Sequence, residues 1–441
     1  MLGVIFQDRR KTGHLDLEAV ETIIRSAMHQ AGAITLTKLL QYDPPDESHR
    51  TIPCSCGHSA RYKELRSKTV LTVLGPVKLG RPYYLCAHCS KGQCPVDAEL
   101  GVADLESSPG VRRMAAVVGS EMPFAAGCEP MKVLAGLDVP AKAIERASEA
   151  IGQQIAERDA QEIGRAKQLI LPVVIKQNLP KMYVLMDGVQ VPVVGKETDG
   201  RTGRMEGQRA RTRECKIGCV YTQTTVDTDG WPIRDPDSTT YVGAIETAEE
   251  FGFRLYTEAW GRGWEWATIK VVIGDGAVWI WNLADQHFPG AIQIVDLYHA
   301  REHLWKIAAW LHPNDTAAKK LRMTPIKDLL DDGKIEALVA CLRQIAAEHA
   351  LLQPGLTENI LKEAEYFETN IARMRYPDFR AKGLFVGSGV VEAGCKTVIG
   401  SRLKRSGMFW TLRAANAIIA LRCCRLNGRF EDYWEENRAA A

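Results

Sequence analysis

The sequence predicts an α/β protein whose sheet strands end in carboxylates, with a helical insertion inside the core and two small modules ahead of it. Three stretches predict this. In IKVVIGDGAVWIWN, residues 269–282, the apolar run Ile269–Ile273 reads as a buried strand, Gly274-Asp275-Gly276 stops it, and Ala277 onward reads as the start of a helix. In MYVLMDGVQVPVVG a second apolar strand ends at Asp187, again followed by glycine. In VGSGVVEAGCKTVIGSRLKRSG, Glu392 falls in the first turns of a helix with basic residues beyond it. Asp beside Gly is ordinary turn chemistry, so each stretch taken singly is weak. A carboxylate at a strand end beside glycine is also where backbone and ligand approach closely.

Composition bounds the rest. With 441 residues and 46% hydrophobic content the chain can bury a large core, enough for two or three domains. A formal net charge of +2 does not advertise nucleic-acid binding for the whole chain, so charge has to be read locally. No run of about 18 apolar residues occurs, and no membrane span is expected. The N-terminal MLGVIFQDRRKTGHLD lacks a signal-peptide layout, so a reducing, cytoplasmic setting is expected. Of the 12 cysteines, five fall between residues 54 and 94, and the remaining seven read as scattered buried thiols.

Taken in order, residues 1–50 form a helical segment, with Val20, Ile23, Ile24 and Met28, then Leu36, Leu39 and Leu40, at helical spacing. These predict one amphipathic helix or a helix pair before the break at Asp43-Pro44-Pro45-Asp46. Residues 51–104 read as a zinc-ribbon-like hairpin. Cys54-Ser55-Cys56-Gly57-His58 and Cys86-Ala87-His88-Cys89 flank strand-like sequence, and two close thiol pairs on knuckles can supply tetrahedral zinc without strain. Cys54, Cys56, Cys86 and Cys89 are the candidate ligands of a structural zinc. The Cys-x-Cys half is tighter than the common spacing, which leaves His58 or Cys94 as a possible substitute. Residues 105–178 read as helices. SSPGVRRMAAVVGSEM opens on a good N-terminal signal, and MKVLAGLDVPAKAIERASEAIGQQIAERDA gives a short helix, a turn at Gly136 and a second helix from about Pro140. That arrangement resembles a DNA-binding helix-turn-helix, although Lys142, Arg146 and Arg158 are balanced by Glu145, Glu149 and Glu157.

From 179 the pattern turns to strands: KMYVLMDGV, VQVPVVG and CKIGCVYTQTTV. Between the last two lies GRTGRMEGQRARTRECK, where Arg201, Arg204, Arg209, Arg211 and Arg213 make a glycine-rich basic loop suited to phosphate. A polar loop (DTDGWPIRDPDSTTY), a helix near 245–258, the strand before Asp275, a helix with Trp279 and Trp281, and a strand ending near Asp296 complete residues 179–299. Three antiparallel strands, helix, strand, helix and strand are the order of an RNase H-like fold, in which the first and fourth strands are neighbours. Asp187 and Asp275 are then expected to meet at one edge. Residues 300–385 are helical and charged and read as an α-helical insertion. Residues 386–441 return a core helix and a basic tail, where Lys396, Arg402, Lys404 and Arg405 precede Phe409 and Trp410, a mixture suited to phosphate contact and base stacking. Asp187, Asp275 and Glu392 together are the donor set for two Mg2+ or Mn2+ ions, which take hard oxygen ligands and support phosphoryl transfer.

MDGVQVPV, WATIKVVIGDGAVWIWNLADQHFPGAIQIVDLYHAREHLW and GSGVVEAGCKTVIGSRLKRSGMFWT resemble the ISKra group of bacterial insertion-sequence transposases, DDE enzymes distantly related to Mutator-like elements. The likeness extends over most of the chain, including GRPYYLCAHCSKGQCPVD and the C-terminal tail. It implies a DNA transposase that cleaves element ends and transfers strands to target DNA, with Asp187, Asp275 and Glu392 as its DDE triad. It implies that Asp296 and His299 support the metal ligands or position DNA. Its partners would be duplex DNA, both terminal inverted repeats and target, and further copies of the chain holding two ends together. Two other classes remain open at this point: a catalytically silent, transposase-derived DNA-binding regulator, and an RNase H-like nuclease.

Overall fold

The structure is a computed structural model and describes residues 16–176, 178–203 and 208–439. It forms two compact units, Met1–Ile151 with Glu431–Ala441, and Gly152–Phe430.

The first unit opens with α1 (Leu17–Leu39), a single helix rather than a pair, whose N-cap Asp16 accepts a hydrogen bond from the Ala19 N–H. Strands β1 (Thr51–Pro53), β2 (Ser59–Thr72), β3 (Gly75–Cys86) and β4 (Gly92–Gln93) make an antiparallel sheet in that order. Val70, Val77, Leu79 and Val102 are its buried apolar set, with Ala33 and Leu36 of α1 and its C-cap residue Leu40 packed on them. After α2 (Pro95–Glu99) come α3 (Pro109–Glu121), capped by Ser108, and α4 (Cys128–Ala135). Then α5 (Ala141–Lys167) begins, and it runs on into the second unit. Val111, Ala115, Met131, Leu137, Val139 and Ile144 form the core of this helical cluster. The turn at Gly136 is left-handed, as a helix C-cap favours.

The second unit is a mixed sheet with helices on both faces. Its strands are β5 (Leu179–Pro192), β6 (Thr212–Gln223), β9 (Thr240–Ala244), β10 (Ala267–Gly274) and β11 (Ile292–Val295), in the order β11-β10-β5-β6-β9. A small ribbon, β7 (Thr225–Val226) with β8 (Pro232–Ile233), stands apart. β5, β10 and β11 are parallel, and β6 and β9 antiparallel to their neighbours. Two strands expected from the sequence, KMYVLMDGV and VQVPVVG, are one continuous strand, because Gly188 pairs with Lys216 inside the ladder and no turn forms there. The third antiparallel strand is instead β9, at the end of the stretch that reads as a polar loop.

Helices α6 (Ala248–Gly261) and α7 (Val278–His287) follow β9 and β10. Leu255 and Phe251 of α6 lie against Gly218 on one sheet face, while Gly394 meets Ile217 on the other. Beyond β11, α8 (Leu297–Leu311) leads into α9 (Thr316–Asp331), α10 (Ile335–His349), α11 (Pro354–Thr369) and α12 (Tyr376–Ala381). Leu330, Leu338, Leu342, Ile360 and Phe367 are among the buried apolar residues of this segment. The chain then returns through α13 (Gly389–Gly394), a wide π-type turn Cys395–Gly400, a closing turn Ser401–Leu403, α14 (Leu412–Leu426) and α15 (Phe430–Ala439). Among the described residues no helix is long and apolar enough to cross a membrane.

Candidate functional site

Register sets the geometry of the carboxylates. β5 and β10 pair in parallel with Val271 beside Tyr183 and Ile273 beside Leu185, so two residues further on Asp275 comes level with Asp187. β10 and β11 pair with Gly274 beside Val295, which brings Asp296 level with Asp275. Three aspartates therefore stand abreast across neighbouring strands, about 4.8 Å from strand to strand. Asp187 lies opposite Ile217 in the β5–β6 ladder, so its side chain shares the face on which Gly394 meets Ile217. That face receives α13, which carries Glu392.

Each carboxylate is held by a local donor. Asp187 Oδ1 accepts from the Gly188 N–H at 2.6 Å, and Asp187 Oδ2 is 3.3 Å from the Cys395 thiol, which donates to it. Asp275 Oδ1 accepts from the Ala277 N–H at 2.9 Å. Glu392 Oε1 accepts from the Ser388 hydroxyl at 3.0 Å. Burial raises the Asp187 carboxyl above the usual carboxylate range; the thiol of Cys395 and the N–H of Gly188 oppose that shift, and the charges of Asp275 and Glu392 add to it. The three carboxylates thus share one electrostatic environment.

Asp296 does something different. It is almost fully buried, with both oxygens taken by backbone N–H groups: Oδ1 accepts from His299 at 2.7 Å as the N-cap of α8, and Oδ2 accepts from Ser388. Its own N–H donates to Gly274 O at 2.8 Å, and the Leu297 N–H donates to Val386 O at 2.9 Å. Asp296 therefore braces the end of β10 and the entry to α13, the two elements that present Asp275 and Glu392. The His299 imidazole turns to Glu302, 3.6 Å away, and to the edge of the His303 ring.

Sequence reading missed three further parts. Tyr366 of α11 donates its hydroxyl to Asp275 O at 2.9 Å. Gly276, at φ +100°, admits the ring: a Cβ there would lie 2.5 Å from it, so glycine is required on both counts. His303 stacks on the Tyr366 ring at 4.0 Å and is paired with Glu363. Burial pushes the Tyr366 phenol far up, with Asp275, Asp296 and Glu363 adding to it, so it stays a neutral donor. The second part is the Cys395 thiol. The third is the π-type turn after Glu392, a feature frequent at functional sites. Buried Arg422 donates there from Nε to Val398 O at 2.9 Å and from Nη2 to Thr397 O and Ser401 Oγ at 2.5 and 3.0 Å. An aspartate-glycine pair signals none of these, because their partners lie 91, 208 and about 25 residues away in sequence.

The basic residues divide. Arg201, Arg209, Arg211, Arg213 and Lys216 line an open cleft of about 1490 Å³, together with Glu214, Glu246 and Glu250. Arg201 and Arg211 are exposed. Arg209 is paired with Asp199 and donates to Gly195 O, and Arg213 donates to Glu197 O at 3.2 Å, so both also brace the loop. Arg204 lies outside the described residues. Lys396, Lys404 and Arg405 are exposed, with Arg405 Nε 2.7 Å from Ser401 O. Arg402 departs from its expected place on a DNA-facing surface. It is fully buried, with its guanidinium 5.0 Å over the Trp410 ring and Nη1 3.7 Å from Met408 Sδ, because it caps the packing of the tail onto the sheet. Trp410 is likewise buried, and Phe409 is exposed.

In the first unit the thiols converge. Cys54 Sγ lies 3.6 Å from Cys89 Sγ, and Cys56 Sγ lies 3.6 Å from Cys86 Sγ. All four sulfurs fall within 4.8 Å of one another. Tetrahedral zinc with bonds of about 2.3 Å places its sulfurs about 3.8 Å apart, so the four cysteines could hold a structural metal such as zinc. Two tight turns present them. In one, the Gly57 N–H donates to Cys54 O at 3.0 Å with Gly57 left-handed; in the other, the Ser90 N–H donates to Cys86 O at 2.9 Å. The Cys54 thiol is lowered to about 7, chiefly by the backbone N–H of Cys56. Cys94 is elsewhere, 2.6 Å from Arg81 Nη1, and is not part of the cluster. The carboxylates of the second unit are not gathered so tightly: among the described residues, the groups of ligand atoms within 4.8 Å are the four cysteines and Cys56 with His58 and His88.

Compared with protein-family models and with curated proteins, the chain matches none.

Proposed function

We propose that the chain is a DDE transposase of the ISKra type, built on an RNase H-like core, that cleaves DNA at element ends and joins the freed 3′-hydroxyls to target DNA. The observation that carries the reading is the register that sets Asp187 and Asp275 side by side on adjacent parallel strands, with Glu392 brought to the same face from beyond the helical segment. The strand order, with the first strand between the second and the fourth, supports the RNase H-like assignment.

Three partly accessible carboxylates, each with lone pairs left over from its internal hydrogen bond, suit a hard divalent cation. Asp187, Asp275 and Glu392 would hold Mg2+ or Mn2+, two ions per site, which supply activation of a water or 3′-hydroxyl and stabilisation of the leaving oxygen. The chain's own residues supply the positioning. Gly188, Ala277 and Ser388 orient the carboxylates, Asp296 locks the two elements that carry Asp275 and Glu392, and Tyr366 fixes the backbone of Asp275. Arg201 and Arg211 on the cleft, and Lys396, Lys404 and Arg405 beyond Glu392, would contact DNA phosphates. The helices around Gly136 serve as a DNA-binding module in this reading, and holding two element ends requires more than one copy of the chain.

The test is a coupled cleavage and strand-transfer assay on labelled element-end DNA with Mg2+ or Mn2+, comparing the wild type with Asp275→Asn. Metal-dependent joined products, lost in the variant, support the proposal. Cleavage without joining would make the chain a nuclease. Binding with no cleavage by either protein would make it a DNA-binding regulator.

A further inference from the structure

We propose that Cys56, His58 and His88 form a second transition-metal site, which shares the Cys56 sulfur with the four-cysteine cluster. The ligand atoms of these three residues all lie within 4.8 Å of one another. Each knuckle contributes one imidazole: His58 follows Cys56 by two residues, and His88 sits between Cys86 and Cys89. The two rings stack face to face, centroids 3.8 Å apart and 9° from parallel. His58 Nδ1 is 3.7 Å from Cys56 Sγ and 3.2 Å from Cys56 O. Among the described residues no carboxylate is paired with either ring, so neither imidazole is committed to an acidic partner there.

The alternative role for His58, replacing a thiol in the first site, has no geometric need. Four sulfurs already fill a tetrahedron around one ion at the spacing zinc requires. Both imidazoles are exposed, whereas Cys54 and Cys86 are buried. A thiolate sulfur has lone pairs for two metal ions. One thiolate and two imidazoles form a donor set suited to Zn2+, Co2+, Ni2+ or copper rather than to Mg2+ or Ca2+. The rings are exposed, and the ligand atoms already lie within 4.8 Å of one another, so rotation about the side-chain bonds is the movement that binding calls for. With three protein ligands, the ion would keep one position open to solvent.

The measurement is metal stoichiometry on the full chain. The purified protein is titrated with Co2+ as the only added metal after exchange into metal-free buffer, following thiolate-to-metal charge-transfer absorption, with total bound metal counted by elemental analysis. The expected result is two ions per wild-type chain and one per His58→Ala/His88→Ala chain, the ion left in the variant keeping the absorption of a tetrahedral four-sulfur site; two ions in the variant would overturn the proposal. His58 and His88 are exposed, so the variant should fold, and far-ultraviolet circular dichroism checks that. One ion in both proteins would overturn the proposal. So would one ion in the wild type whose absorption changes in the variant, which would place an imidazole in the first site.

Discussion

The thiol cluster of the first unit and the carboxylate row of the second reach convergence by opposite routes. Four sulfurs meet because two short turns, each closed by its own backbone hydrogen bond, are set at the open end of one hairpin; Ala60 pairs with Cys86 in that ladder. Nothing beyond residues 54–89 is needed. The carboxylates meet because parallel strands from positions 179 and 267 fall into a particular register and a helix from position 389 folds back on them. A hairpin builds its site locally. A parallel sheet needs the whole core in place before its site exists. The thiols pack at 3.6 Å, while the charges of Asp275 and Glu392 act against that of Asp187, and each of these carboxylates is tied to a separate donor.

The largest expected effect lies on the thiol side. The hairpin end has a very small core, Cys54, Ala60, Tyr84 and Cys86 with Ile52 and Tyr62 packed on it, so a structural metal would carry its folding. Such ions contribute about 10–16 kcal/mol in small zinc modules. Chelation, or Cys86→Ser, is expected to expose residues 51–94 to limited proteolysis in step with metal release. Protease resistance after complete metal removal would show that the hairpin stands on packing alone and would remove the contrast. Next comes Asp275→Asn. Loss of partners one layer behind a metal ligand already costs about 10–100-fold, so loss of a ligand should cost at least about 100-fold in strand cleavage with element-end binding retained. A variant that still cleaves would take Asp275 out of the row.

How much could be read from the sequence follows the same division. The thiol pairs are legible because each is a few residues long; the structure gathers all four cysteines, which could hold one metal, and leaves Cys94 beside Arg81. Asp275 is legible as a strand end and Glu392 as a helix start, but Asp187 lies inside β5 rather than at its end, and the register that sets it beside Asp275 is not legible. The boundary between two expected strands at Gly188 does not exist, because a glycine can remain in a ladder when its partners continue it. β9 hides in a polar stretch because only five residues pair and just two of them are buried. Arg402 reads as a surface cation, and it is buried because Trp410 offers a ring face. Cys395 and Tyr366 carry no local signal; their roles come from what the fold sets beside them.

A smaller effect tests whether the row depends on the helical segment. Tyr366→Phe removes the hydroxyl on Asp275 O and keeps the ring against Gly276 and His303. The stability loss should be modest, about 0.5–1.5 kcal/mol for one hydrogen bond, while cleavage should fall about tenfold or more. A fall in cleavage no larger than the change in folded fraction would make Tyr366 a packing residue only.

The smallest effect is one of stability and pH. The Asp187 carboxyl is raised in the folded protein, mainly by burial, with the neighbouring Asp275 and Glu392 adding. A carboxylate whose folded pKa exceeds its unfolded one binds its proton more tightly when folded. Its contribution to stability is therefore complete below the unfolded value and is lost as pH rises through the folded value. Asp187→Asn removes the charge that becomes unfavourable there. In divalent-free buffer the variant should melt at a higher temperature than the wild type at neutral pH, and the difference should shrink as the pH is lowered through the carboxylate range. If the variant melts at or below the wild-type temperature at neutral pH, the hydrogen bonds from Gly188 and Cys395 outweigh the burial. The row would then resemble the thiol cluster, convergent without strain, and the contrast between the two regions would rest on chain topology alone.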